Sequence, residues 1–294
     1  MGGSLLGMLL ILGGAGAHQL ETVLVKNYGD KYGKGGMLFN AIICLAATLY
    51  FFLTDKGGLA FPKELWIYGG INCTMYAVGF YSGYVAYKEG SYALTKLFLS
   101  FGILVPIFYG IVVLNDPTTP FTYISILLIS FSLFLMNYKK NTGNSNDTKS
   151  KLSFKWIINI VLVILSNAAI GIIGKIQYDT FDGGYKNEFL IISLAGAALS
   201  LFVLGFIFER DSFKTIFRHG LAYGVGAGVC NGINNLITLV VYAYLPLSVV
   251  SPIRSGMNII LSFVVAVLMY KEKFSRRQLV GVVLGILAIV LINM

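Results

Sequence analysis

The chain has 294 residues, 56% of them hydrophobic and only 12% charged, with a mean hydropathy of +0.77. Soluble chains run nearer half apolar and a quarter charged, so this composition excludes an ordinary soluble domain. The formal charge of +9 would suggest nucleic acid in a soluble protein. Here the basic residues fall between apolar stretches, where they set orientation and meet anionic headgroups, so the expected partner is the lipid bilayer and not nucleic acid.

Ten apolar stretches follow one another, at 4–25, 36–54, 65–87, 91–114, 119–138, 156–176, 188–208, 220–243, 247–270 and 277–293. A helix crossing a bilayer core of about 30 Å needs roughly this length, and none of the stretches alternates as a barrel strand does. The chain therefore reads as an all-α polytopic membrane protein with about ten transmembrane helices. The first stretch, GSLLGMLLILGGAGA, lacks a basic leader and is followed by further spans, so it is read as a retained helix rather than a signal peptide. It carries His18 and Glu21, three positions apart on one helix face. A carboxylate kept from bulk water can bind and release a proton, which makes Glu21, with His18, the candidate for proton or ion coupling. An ion pair with Lys26 near the helix end is the other use open to it.

The third stretch is rich in aromatic residues. Trp66, Tyr68 and Tyr87 lie near its ends and fit the interfacial belt, while Tyr76 and Tyr84 share a face and are candidate walls of a cavity. The fourth stretch carries Lys96 and the ninth Arg254. A cation at mid-helix costs about 2.5–3.5 kcal/mol on an insertion scale, a cost tolerated beside water, an anionic partner or a ligand. Both are candidate substrate contacts for a carboxylate or phosphate, and the planar fork of Arg254 suits such a group best; pairing of either with Glu21 stays open. In the eighth stretch Asn231, Asn234, Asn235 and Thr238 form a stripe, and in the ninth Ser251, Ser255, Asn258 and Ser262 recur at helical spacing. Such groups face protein rather than lipid, and Asn231 and Asn258 are the candidate ligand contacts among them. Pro106 and Pro252 are expected to bend the fourth and ninth helices.

The one long polar segment, Lys139 to Lys155, splits the chain into 1–138 and 156–294. At a spacing of 156, LFLSFGILVPIFYGIVVLND lies over IRSGMNIILSFVVAVLMYKE, each an apolar helix ending in an acid. Five spans per half would make the two repeats inverted in the bilayer, an arrangement suited to alternating access. Cys44, Cys73 and Cys230 lie inside spans without ligand spacing and read as buried thiols, with neither a disulfide framework nor a metal site. No phosphate loop, zinc signature, nucleophile elbow or paired carboxylates occur, so neither a cofactor nor an enzymatic activity is expected.

The stretch Glu272 to Ile292, EKFSRRQLVGVVLGILAIVLI, with its acid, short polar turn and glycines 281 and 285, resembles the close of the drug/metabolite transporter superfamily in its ten-helix EamA-type form. The first half keeps the acid as Asp116 but lacks the basic turn and the glycines. The resemblance implies a metabolite exporter or exchanger whose cavity is lined by helices one, three, four, six, eight and nine, with the fourth and ninth packed together. Ten-helix relatives keep both termini in the cytoplasm. The loops after the odd-numbered spans hold sixteen of the Lys and Arg residues, which would place the termini outside.

The sequence thus leads to a secondary transporter in a plasma membrane, bacterial in type, acting as a monomer or homodimer on a small carboxylate-bearing or zwitterionic solute, with protons as coupling ions. Export of lipophilic or quaternary cations is the competing reading. A membrane scaffold or lipid-modifying protein is the third, and it leaves three embedded charges without a purpose.

Overall fold

The computed structural model describes residues 2–33, 36–55, 57–89, 95, 98–137, 153–271 and 275–292. Lys96, Glu272 and residues 139–152 of the polar linker lie outside them. Every regular element among the described residues is helical: α1 (Gly2–Tyr32), α2 (Met37–Thr54), α3 (Lys63–Glu89), α4 (Leu104–Val112), α5 (Pro120–Asn137), α6 (Phe154–Thr180), α7 (Lys186–Phe208), α8 (Leu221–Val241), α9 (Leu247–Leu268) and α10 (Arg276–Leu291). A 3-10 turn at Phe101–Ile103 leads into α4. Arg210 to Gly220 forms a second short helical segment, ending in a π-turn at Ile216–Gly220, before α8.

Among the described residues six helices are long and apolar enough to cross a membrane, and the helices Phe98–Val112 and Pro120–Leu135 are shorter apolar ones. The chain is an all-α polytopic membrane protein. Helix α3 has the length of a span at 27 residues, but its tyrosines, glycines and Asn72 dilute its hydropathy. Helix α1 continues past its expected end at residue 25 to Tyr32. Nothing in KNYGDKY breaks a helix except Gly29, and an isolated glycine costs only about 1 kcal/mol. Pro106 has no N–H to give to the turn before it, which fits the tighter 3-10 winding at its N-terminal side.

The chain forms two compact units, 1–81 with 169–245 and 82–168 with 246–294. The division falls inside α3 and α6, so each unit draws helices from both halves of the sequence.

In the first unit α2 packs against α7 and α8, and α1 against α8. The run GVGAGVCNG puts glycines at 224, 228 and 232, one turn apart on the face of α8 that meets α2. A Cβ at Gly228 would lie 2.5 Å from the carbonyl oxygen of Ile43 and 2.6 Å from Ala46. Small residues of this kind let helices approach backbone to backbone in lipid, where no hydrophobic force pulls them together. Gly228→Leu is expected to destabilise the fold by about 3 kcal/mol, the upper range for overpacking. The check is a melting curve of the purified protein, and an unshifted midpoint would disprove the close approach. Glu209, at the end of α7, accepts the backbone N–H of Leu38 at 3.2 Å and so caps the first turn of α2, which has no cap of its own.

In the second unit α10 seats on α5: Ser132 donates to the carbonyl of Gly281 at 2.6 Å, and a Cβ at Gly285 would lie 3.1 Å from the same hydroxyl. The two glycines of the final helix are therefore contact points. Ile129, Ile259, Val282 and Ala288 form the buried core around them. Trp156 of α6 donates to Thr95 at 3.0 Å and packs with Ala86 and Ile160, while Lys155 pairs with Glu89 at 2.9 Å. Helix α4 packs against α9 as the resemblance implied. The acid after α4 is used here: Asp116 Oδ2 accepts the N–H of Ser248 at 2.8 Å, putting a negative charge at the N-terminus of α9. Gly110 leaves the room, since a Cβ there would lie 2.5 Å from that carboxylate oxygen.

Candidate functional site

The polar residues of α1 and α8 meet in the first unit. Glu21 sits within the membrane-crossing part of α1 and is largely shielded, with its side chain 14% exposed. Asn231 Nδ2 donates to Glu21 Oε1 at 3.0 Å, and Asn235 Nδ2 donates to Asn231 Oδ1 at 2.8 Å. His18 Nδ1 lies 3.3 Å from the other carboxylate oxygen, and its own side chain is 41% exposed. The i, i+4 spacing on α8 and the i, i+3 spacing on α1 bring the four groups into one chain. No Lys or Arg among the described residues pairs with Glu21. The carboxylate inside the span is met by an amide and an imidazole, each within hydrogen-bonding distance.

The rest of the α8 stripe has other work. Asn234 is buried, beside the position a Cβ would take on Gly14, and Thr238 donates to the Asn234 carbonyl at 2.7 Å. Asn234 thus sits at the α1–α8 contact, while the Thr238 hydroxyl bonds within its own helix. Cys44, Cys73 and Cys230 are free thiols. No cluster of metal-binding side chains occurs among the described residues.

The other sequence candidates are placed as follows. Tyr76 is half-buried and belongs to the first unit. Tyr84 is 37% exposed and belongs to the second unit, with Arg254 and Asn258. Arg254 and Asn258 are half-buried, one turn apart on α9, just beyond Pro252 inside that helix. Lys96 lies outside the described residues. The structure thus joins His18, Glu21 and Asn231 by hydrogen bonds, while Arg254 and Asn258 share a helix face in the other unit.

One constellation escaped sequence reading. Lys175 pairs with Asp179 at 2.6 Å, and its ammonium lies 5.7 Å from the Tyr178 ring centroid and 5.8 Å from that of Tyr242. Lys186 lies 5.8 Å from the Tyr178 ring and donates to the Gly183 carbonyl. Tyr242 donates to the Gly171 carbonyl at 3.2 Å, which fixes its ring. Two tyrosines therefore face a largely shielded ammonium, a cation–π arrangement. The available signal was Lys175-x-x-Tyr178-Asp179 on one helix; its partner Tyr242, at the C-terminal end of α8, is far away in sequence.

Comparison with known proteins agrees with this architecture. Residues 154–294 match the EamA-like transporter family. The crystal structure of another protein aligns over 97% of this chain and 98% of its own, with a TM-score of 0.74 at 14% identity, a likeness of fold alone. No curated protein matches the sequence. Residues 154–294 thus carry an EamA-like transporter domain, which fits the drug/metabolite transporter superfamily and supports a membrane transporter of that kind.

Proposed function

We propose that the protein is a proton-coupled secondary transporter, an exporter or exchanger, of a small carboxylate-bearing or zwitterionic metabolite of amino-acid size, in a bacterial plasma membrane. The observation that carries the reading is Glu21, an intramembrane carboxylate held by an amide and an imidazole instead of a fixed cation. In this reading the more exposed His18 passes protons to Glu21, and Asn231 senses whether they have arrived. Arg254 takes the solute's carboxylate in its planar fork, supported by Asn258 and by Lys96, while Tyr76 and Tyr84 wall the path. The halves 1–138 and 156–294 act as inverted repeats joined by 139–155. In support, each unit draws on both halves: one holds the first two spans with the seventh and eighth, the other the fifth with the ninth and tenth, and the third and sixth are divided between them.

The test is flux in proteoliposomes of the purified protein under an imposed pH gradient. Amino acids, organic phosphates and tetraalkylammonium ions are offered in turn. Gradient-driven accumulation of a carboxylate-bearing solute is the expected result, and its absence for every such solute refutes the assignment. Accumulation confined to tetraalkylammonium ions would establish the competing reading, export of lipophilic cations. That reading draws its support from Tyr178 and Tyr242, which already face an ammonium group.

A further inference from the structure

The segment Arg210 to Gly220 joins the end of α7 to the start of α8, where one span stops and the next begins. Arg210, Lys214 and Arg218 are spaced by four residues and all are exposed, while Ile216 and Gly220 turn inward. The π-turn at Ile216–Gly220 is wider than an α-turn and keeps residues four apart nearly in register. The rings of Phe213 and Phe217, also four apart, accordingly stack at 4.4 Å. Among the described residues no carboxylate pairs with any of the three cations. Of the two acids that flank Arg210, Glu209 caps α2 and Asp211 is exposed on the same short turn, without an ion pair to any of the three.

Apolar surface runs beside this charge. Phe206 is 44% exposed, Phe217 43% and Leu221 46%. The Arg210 guanidinium lies 4.7 Å from the Phe206 ring centroid, and a guanidinium stacked by one face keeps its edge N–H groups for a planar or tetrahedral anion. The corner is also rigid. Glu209 binds the N–H of Leu38, His219 stacks on Tyr32 at 4.7 Å, and a Cβ at Gly220 would lie 3.1 Å from Tyr28. The cations are therefore held on a fixed backbone at the end of a span, with exposed rings beside them.

We propose that Arg210, Lys214 and Arg218, with the exposed rings of Phe206 and Phe217, form a site for one anionic phospholipid. The phosphodiester lies between Arg210 and Lys214, Arg218 meets the remaining headgroup charge, and one acyl chain runs along Phe206. A zwitterionic headgroup brings its own ammonium against the three cations, and a free phosphate ester lacks the chain that the rings hold, so both bind less tightly.

The experiment uses the full-length protein in a neutral detergent and titrates it with phosphatidylglycerol, phosphatidylcholine of the same chains, or glycerol phosphate. Native mass spectrometry counts retained lipid, and thermal melting reads its effect on the fold. Phosphatidylglycerol is expected to be retained as one molecule per chain and to raise the melting midpoint, with neither control doing so. The variant R210Q/K214Q/R218Q is expected to bind phosphatidylglycerol about a hundred-fold more weakly. Should that variant fail to fold, K214Q alone is expected to lose about five-fold on the same basis. The variant K271Q/R276Q/R277Q, at another basic turn, is expected to keep full binding. Equal retention of phosphatidylcholine, an equal effect of glycerol phosphate, unchanged binding by the Arg210 variants, or an equal loss in the Lys271 variant would each overturn the site.

Discussion

Glu21→Gln is expected to leave a folded protein whose flux no longer responds to pH. The substitution keeps the size of the side chain and keeps an acceptor for the Asn231 amide, so the α1–α8 contact survives. It removes the only group of the network that sits inside the span and can carry a negative charge. One pH unit supplies about 1.4 kcal/mol per proton, enough to accumulate a solute about ten-fold in a carrier that moves one proton per cycle. The Gln variant is expected to equilibrate the solute at about one-fold under the same gradient, while solute-for-solute exchange continues. Measuring initial rates across pH 5 to 8 in proteoliposomes gives the answer. A variant that keeps the wild-type pH profile would mean that protons are coupled elsewhere or not at all.

Arg254→Ala is expected to abolish transport of an anionic solute without disturbing the fold. Truncating one partner of a shielded charged contact costs about 2–5 kcal/mol, or roughly thirty-fold to several-thousand-fold in affinity. Helix α9 keeps its N-terminal hold on Asp116 in this variant, since that contact lies two turns before the substituted position. Arg254→Lys retains charge but not the two-pronged geometry and is expected to fall between the two. Solute affinity is read by thermal shift or by the half-saturation of exchange. An Ala variant with wild-type affinity removes Arg254 from the binding role and leaves it a structural one.

Spans were legible in the sequence because hydropathy is local: a run such as FNAIICLAATLYFFL declares itself without reference to anything distant. Ends were less so, because what stops a helix is frequently another element. The end of α1 at Tyr32 is bound up with rings from α8 and the segment before it, including Tyr223 and His219. Glu21 and the α8 amides were each visible as costly residues in an apolar setting. Their pairing spans 210 positions and has no local signature. The acid after the fourth span is legible as a repeated feature, whereas its use depends on Ser248, 132 positions further along the chain. Lys175 was hidden differently. It stands at a helix border, where a lysine is ordinary, and only the fold brings Tyr242 to it. Residues whose role depends on one neighbour far along the chain were the ones composition could not interpret.

The orientation of the two amides on α8 carries a consequence of its own. Each points its nitrogen toward residue 21, so the pair is poled by the negative charge like compass needles lined up on a magnet. Neutralising that charge removes the reason for the alignment, and Asn231 is then free to present its oxygen to the newly acquired hydrogen. Asn235, one turn further along, must follow or lose its bond. In the proposed coupling, one proton at residue 21 thereby reverses the polarity of the pair, and the expected trace is a shifted side-chain nitrogen resonance of Asn235, whose amide donates to Asn231.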